Sequence, residues 1–172
     1  MKALRTLYFV RFGFALVWAA LTLAVAKSIS PGVTVLLVLY PLFDVAAAVV
    51  DFRTSGNARP KSPLYVNMAL SLLAAIALAV ASGIPGVLRI WGAWAITAGI
   101  VQLVVAVLRY RLGAQWPMIL AGAISVLAGT SFIAMAGSNP SLRTVAGYAL
   151  LGGIFFLISA TRLTRTTPLT HV

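Results

Sequence analysis

Six apolar stretches, at roughly residues 7–26, 33–52, 64–82, 87–108, 116–136 and 141–161, occupy most of this 172-residue chain. A helix of about 20 residues, rising about 1.5 Å per residue, reaches about 30 Å, the thickness of a bilayer's hydrocarbon core. Each stretch therefore reads as a membrane-spanning helix. A β-barrel would instead show segments of about 10 residues with alternating polarity, whereas these runs are continuous and rich in Ala, Leu and Val. Composition agrees, because 62% hydrophobic and 9% charged side chains lie outside the soluble globular range. The expected fold is an all-α membrane protein, one integral domain over residues 1–172, with the lipid bilayer as its surroundings.

The basic residues then orient the chain. Thirteen Lys and Arg give a net charge of +11, but they are spread between apolar runs rather than gathered on one face, which argues against a nucleic-acid partner. Lys27, Arg89 and Arg143 lie in the short turns "AKSISPG", "ASGIPGVLR" and "AGSNPSLR". The other ten, Lys2, Arg5, Arg11, Arg53, Arg59, Lys61, Arg109, Arg111, Arg162 and Arg165, lie at the opposite end of the helices. By the positive-inside rule both termini are expected in the cytoplasm. Tyr8, Tyr65, Tyr110 and Trp116 fall at the expected inner boundary and Trp91 and Trp94 near the outer one, as an aromatic belt requires. Trp18 and Tyr148 fit no belt and are expected between helices.

The first segment, "MKALRTLYFVRFGFALVWAALTLAVAKS", has a basic start, an apolar run and an "AVA" at 24–26 that resembles a signal-peptidase site. Arg11 interrupts that run and a later helix matches the segment, so it is read as a retained helix.

The turns carry a repeat. Pro31, Pro85 and Pro140 are spaced by 54 and 55 residues, each closing a small-residue turn. A shift of 54 lays "RIWGAWAITAGIV" (89–101) on "RTVAGYALLGGIF" (143–155), placing Arg89 on Arg143, Gly99 on Gly153 and Ile100 on Ile154. The chain reads as three tandem helical hairpins, at approximately 7–53, 64–111 and 116–165. Two helices per copy return the chain to the same side, so the copies should be related by an axis along the membrane normal.

This pattern, with "AGIVQLVVAVLRYR" and "GGIFFLISATRLTR" ending in basic residues and "RFGFALVWAALTLAV" as a first hairpin opening, resembles the HdeD-type acid-resistance membrane proteins. The resemblance implies six helices in the bacterial inner membrane and a non-enzymatic contribution to acid or envelope stress tolerance. It brings no catalytic residues with it. "YPLFDVAAAVVDFR" departs from the Gly-Ile pattern of the other two copies.

That departing segment holds the only acidic side chains, Asp44 and Asp51. Asp44 stands about eight residues from the inner end of its helix, roughly 12 Å deep. A carboxylate at mid-membrane costs about 2.5–3.5 kcal/mol, so it must face the bundle interior, pair, or take up a proton. Asp51, seven residues on, is expected as a solvated or salt-bridged boundary residue beside Arg53. Arg11 is the natural partner for either aspartate, unless its stem snorkels outward. With Asn67 and Gln102 these residues place polar groups in the inner half of the bundle, which disfavours a continuous pore. Two roles suit the cluster: interhelical hydrogen bonding that fixes helix neighbours, or a proton-responsive site centred on Asp44. Pro41, three residues before Asp44, removes an amide donor and frees the Leu37 carbonyl, which suits either a bend beside the carboxylate or packing alone, the commoner use of proline in membrane helices.

Gly92 and Gly99, Gly122 and Gly129, and the pair Gly152 and Gly153 place small residues at helical spacing. They suit seams between hairpins or a face between two copies of the chain. With no cysteine and a single histidine, His171 near the C-terminus, no Ser-His pair, histidine relay, or thiolate or histidine metal site can form within the membrane. Two acids on one helix also leave little for acid and base chemistry. No enzyme, cofactor or metal is expected. Two functions remain: a stress-tolerance protein without catalysis, or a small proton-coupled transporter in which Asp44 titrates.

Overall fold

The computed structural model describes residues 2–55, 61–108 and 116–165. Arg59, Arg109, Tyr110, Arg111 and His171, on which parts of the orientation and chemistry expectations rest, lie outside these. Six helices account for the described chain: α1 (Lys2–Val25), α2 (Pro31–Ser55), α3 (Lys61–Ala79), α4 (Gly83–Leu108), α5 (Trp116–Ala136) and α6 (Leu142–Arg165). All six are long and apolar enough to cross a membrane. The described residues contain no strand.

The short turns stop and restart the helices by local chemistry. Pro31 opens α2, where a missing amide donor would be unpaired anyway, and the Ser30 hydroxyl accepts the Val33 amide at 3.3 Å. Gly83 opens α4 with φ of 68°, a conformation that side chains with a Cβ avoid. Before α6, Ser141 Oγ accepts the Arg143 amide at 3.3 Å.

Each helix packs on its neighbours in sequence, and α6 returns to α1, so the helices close a ring. Close and loose seams alternate around it. The intimate pairs are α4 with α5, α1 with α6, and α2 with α3, while α1–α2, α3–α4 and α5–α6 touch along less of their length. The expected glycine seam is the α4–α5 contact: a Cβ on Gly92 would lie 2.6 Å from the Gly129 carbonyl, and one on Gly99 2.7 Å from the Gly122 carbonyl. Gly153 packs against Ala15 of α1. Gly152 is a correction, because it faces a cavity rather than a seam and its nearest neighbour is the Tyr40 hydroxyl.

The apolar core fills the half of the ring nearer the short turns, where Trp18, Leu37, Leu78, Leu88, Trp91, Phe132 and Val145 are buried together. Lipid-facing positions such as Val35, Leu73, Val80 and Leu127 are exposed and apolar, as bilayer contact requires. The outer-belt reading of Trp91 and Trp94 is corrected here. Helix α4 begins at Gly83, so both indoles lie two to three turns inside it; Trp91 stacks on Trp18 and is 0% exposed. Trp18 and Tyr148 pack between helices as expected. Tyr65 and Trp116 are exposed near the opposite end, whereas Tyr8 packs on Phe156.

Candidate functional site

The half of the ring nearer the termini is not filled. A cavity of about 490 Å³ occupies it, lined by residues from all six helices, including Arg11, Tyr40, Asp44, Asn67, Gln102 and Tyr148. Its floor is the aromatic cluster in which Tyr40 meets Trp18, Trp91 and Trp94 at centroid distances of 4.7, 5.6 and 6.1 Å.

Asp44 is in the cavity wall and is fully partnered. One carboxylate oxygen pairs with the Arg11 guanidinium of α1. The other accepts Asn67 Nδ2 and Ser71 Oγ of α3, each at 2.8 Å. Asn67 and Ser71 are one helical turn apart on the same face of α3, so a single carboxylate joins three helices. The Arg11 guanidinium also lies 4.1 Å from the centroid of Phe156 on α6, a cation–π contact that makes a fourth tie. Desolvation of a lone charge at this depth is the reason such groups appear as a hydrogen-bonded pair.

Of the two partners open to Arg11 in the sequence, the structure selects Asp44. The solvated reading of Asp51 does not hold: α2 continues to Ser55, and Asp51 is 8% exposed and interacts with protein groups. Asp51 does not line the cavity. Arg11, Asp44, Asn67 and Gln102 do come together around it.

Pro41 is buried and α2 runs unbroken across it. The Trp18 indole donates to the Leu36 carbonyl at 2.6 Å, next to the Leu37 carbonyl that the proline leaves free. This ties α1 to α2 about two turns above the ion pair.

Several residues of the site, in the cavity lining or behind Asp44, escaped sequence reasoning. Ser71 had a signal, as the second polar residue at i+4 from Asn67 in an apolar helix. Tyr40, Trp94 and Ser125 had none beyond being aromatic or small. The Tyr148 hydroxyl donates to Ser125 Oγ at 2.9 Å, bridging α6 and α5. The Trp94 indole N–H is buried without a hydrogen-bond partner. Among the described residues no group of three or more His, Cys, Asp or Glu forms that could hold a metal ion.

Comparison of the chain with family models, with characterised proteins and with solved structures returns no match.

Proposed function

We infer that this multi-pass membrane protein is a small proton-coupled carrier without enzymatic activity, in which Asp44 is the proton-exchanging group and the central cavity is the solute site. One observation carries the reading: the ion pair Arg11–Asp44 lies in the wall of a cavity that all six helices surround. The cavity's volume of about 490 Å³ suits a small molecule, since such sites span about 300–1,000 Å³. An apolar plug on the short-turn side and an open half on the other are what one access state of a carrier needs. In this reading the three tandem hairpins stand in the bacterial inner membrane with both termini cytoplasmic, and the cavity faces the cytoplasm.

The test is solute-dependent proton movement in proteoliposomes carrying an internal pH dye, across a panel of anionic, neutral and cationic solutes. Wild type is expected to move protons with at least one class, and Asp44→Asn with none. A wild type that moves none, or a variant that moves as many, rejects the reading.

The HdeD-type resemblance of "AGIVQLVVAVLRYR" and "GGIFFLISATRLTR" supports a compatible second reading at the cellular level, a contribution to acid or envelope stress tolerance. Acid survival of a deletion strain carrying wild type or Asp44→Asn at equal membrane abundance tests it. Protection by wild type is expected, and its absence removes the acid role.

A further inference from the structure

The carrier reading, on which this inference rests, leaves the solute unnamed; the arrangement around Asp44 narrows it. The close seams make α2 and α3 one unit and α1 and α6 another. Asp44 is held to Asn67 and Ser71 inside the first unit, and to Arg11 across the loose α1–α2 seam. Arg11 in turn rests on Phe156 inside the second unit. The two oxygens of Asp44 therefore do different jobs: one anchors a helix pair, the other latches two pairs together.

A proton reaching Asp44 lands on the latch side at least cost, because the anchor oxygen already accepts two donors. Its hydrogen bonds to α3 survive, and only the ion pair to Arg11 is lost. The group then left in need of a partner is a guanidinium, held in place by Phe156 and bordering the cavity. The parallel N–H donors of a guanidinium match two oxygens of a carboxylate or a phosphate, and charge balance decides between them. Among the described residues Arg11 is the one cationic side chain in the cavity lining, which suits a monoanion and leaves a dianion half-neutralised. Much of the remaining wall, with Trp94, Ile124, Leu151 and Phe155, is apolar and aromatic, and Gln102, Ser125 and Ser159 add uncharged polar groups.

We propose that the cavity takes a monocarboxylate with an apolar body, and that it enters together with one proton. The proton binds the Asp44 oxygen that Arg11 held, and the ligand carboxylate replaces Asp44 on Arg11. One positive and one negative charge arrive together, so the net charge of the site is unchanged and neither Arg11 nor the ligand is left unpaired. Among the described residues the titratable and charged groups around this exchange are Arg11 and Tyr8 of α1, Tyr40 of α2 and Tyr148 of α6; α3, α4 and α5 contribute Asn67, Ser71, Gln102 and Ser125, which carry no charge. Asp51, on the helix of Asp44 itself, lies two turns away and outside the cavity lining.

The test uses the full chain in nanodiscs, with benzoate as the probe and empty nanodiscs as the blank. Calorimetry in two buffers of different ionisation enthalpy counts protons. Wild type should take up about one proton per benzoate bound, with affinity falling about tenfold per pH unit once Asp44 is ionised. Benzyl alcohol and benzylamine should not compete. In Asp44→Asn, where Arg11 has no counter-charge, benzoate should bind with no proton uptake and no pH dependence; in Arg11→Gln binding should be lost. Wild type that fails to bind benzoate saturably, binds it without proton uptake, or binds benzylamine with proton release overturns the proposal, and so does proton uptake that persists in Asp44→Asn. Should a variant fail to accumulate, the wild-type proton count alone decides. Binding with proton uptake but no flux in proteoliposomes would defeat the carrier reading and leave this assignment standing. Proton-coupled flux of other solutes without benzoate binding would do the reverse.

Discussion

Arg11 and Asp44, 33 residues apart in sequence, form an ion pair across the loosely packed seam between α1 and α2. Each is held from behind by a different helix, Arg11 by Phe156 of α6 and Asp44 by Asn67 and Ser71 of α3. The pair is thus the fixed point of four helices and, among the described residues, the one charged feature of the cavity wall.

Removing one partner leaves the other charge buried, which costs about 3–5 kcal/mol. Arg11→Ala and Asp44→Ala should each lose about that much in denaturant unfolding in detergent. The double variant should lose much less than the sum, because no unpaired charge remains. Additive losses would show that the two side chains act independently.

The α4–α5 seam should tolerate no added methyl. Gly92→Ala and Gly99→Ala push a Cβ into backbone carbonyls of the facing helix, and overpacking of this kind costs about 1–3 kcal/mol. Gly147→Ala, with nothing within 4 Å of its Cβ position, should be neutral or slightly stabilising, since Ala is the better helix former. Thermal unfolding of the three variants separates these outcomes, and equal midpoints would contradict the seam.

The chain has no cysteine, so single introduced thiols report accessibility directly. Gln102→Cys and Ser159→Cys line the cavity and should react with a membrane-impermeant thiol reagent added from the side of the termini. Leu88→Cys and Val145→Cys, at positions 0% exposed, should not react from either side. Labelling of the cavity pair only from the short-turn side would reverse the proposed access.

Trp18 ties α1 to α2 through its indole N–H and fills the aromatic floor. Trp18→Phe keeps most of the packing and loses the hydrogen bond to Leu36, for a cost of about 1 kcal/mol. Trp18→Ala should cost about 3–5 kcal/mol, as large-to-small core changes do. Similar losses in both would assign the tryptophan's contribution to its hydrogen bond rather than its volume.

The six helices were legible because crossing a membrane demands one length and one polarity, and "LTLAV" or "ALLGGIF" satisfy both without reference to any neighbour. Pairing of Arg11 was nearly legible, since only two carboxylates exist and depth along the helix brought both within reach. Trp91 and Trp94 were misplaced because the start of α4 was set too late: from Gly83 both lie two to three turns deep, and the face that buries Trp91 is fixed by how the ring closes. The same holds for Tyr40, whose type is as common against lipid as against a cavity, while Tyr148 was legible as an interhelical residue. The solvated alternative for Asp51 failed for a simpler reason, the continuation of α2 past the expected boundary to Ser55.

With only two acidic side chains in the chain, infrared difference spectroscopy between high and low pH can follow Asp44 almost without interference. Acidification of the protein in lipid should raise the carbonyl stretch of a protonated carboxyl while the guanidinium bands of Arg11 shift. Both changes should vanish in Asp44→Asn and persist in Asp51→Asn. A carboxyl band that never appears over the range in which the protein stays folded, or one that survives Asp44→Asn and is lost with Asp51→Asn, would contradict the claim that Asp44 exchanges Arg11 for a proton.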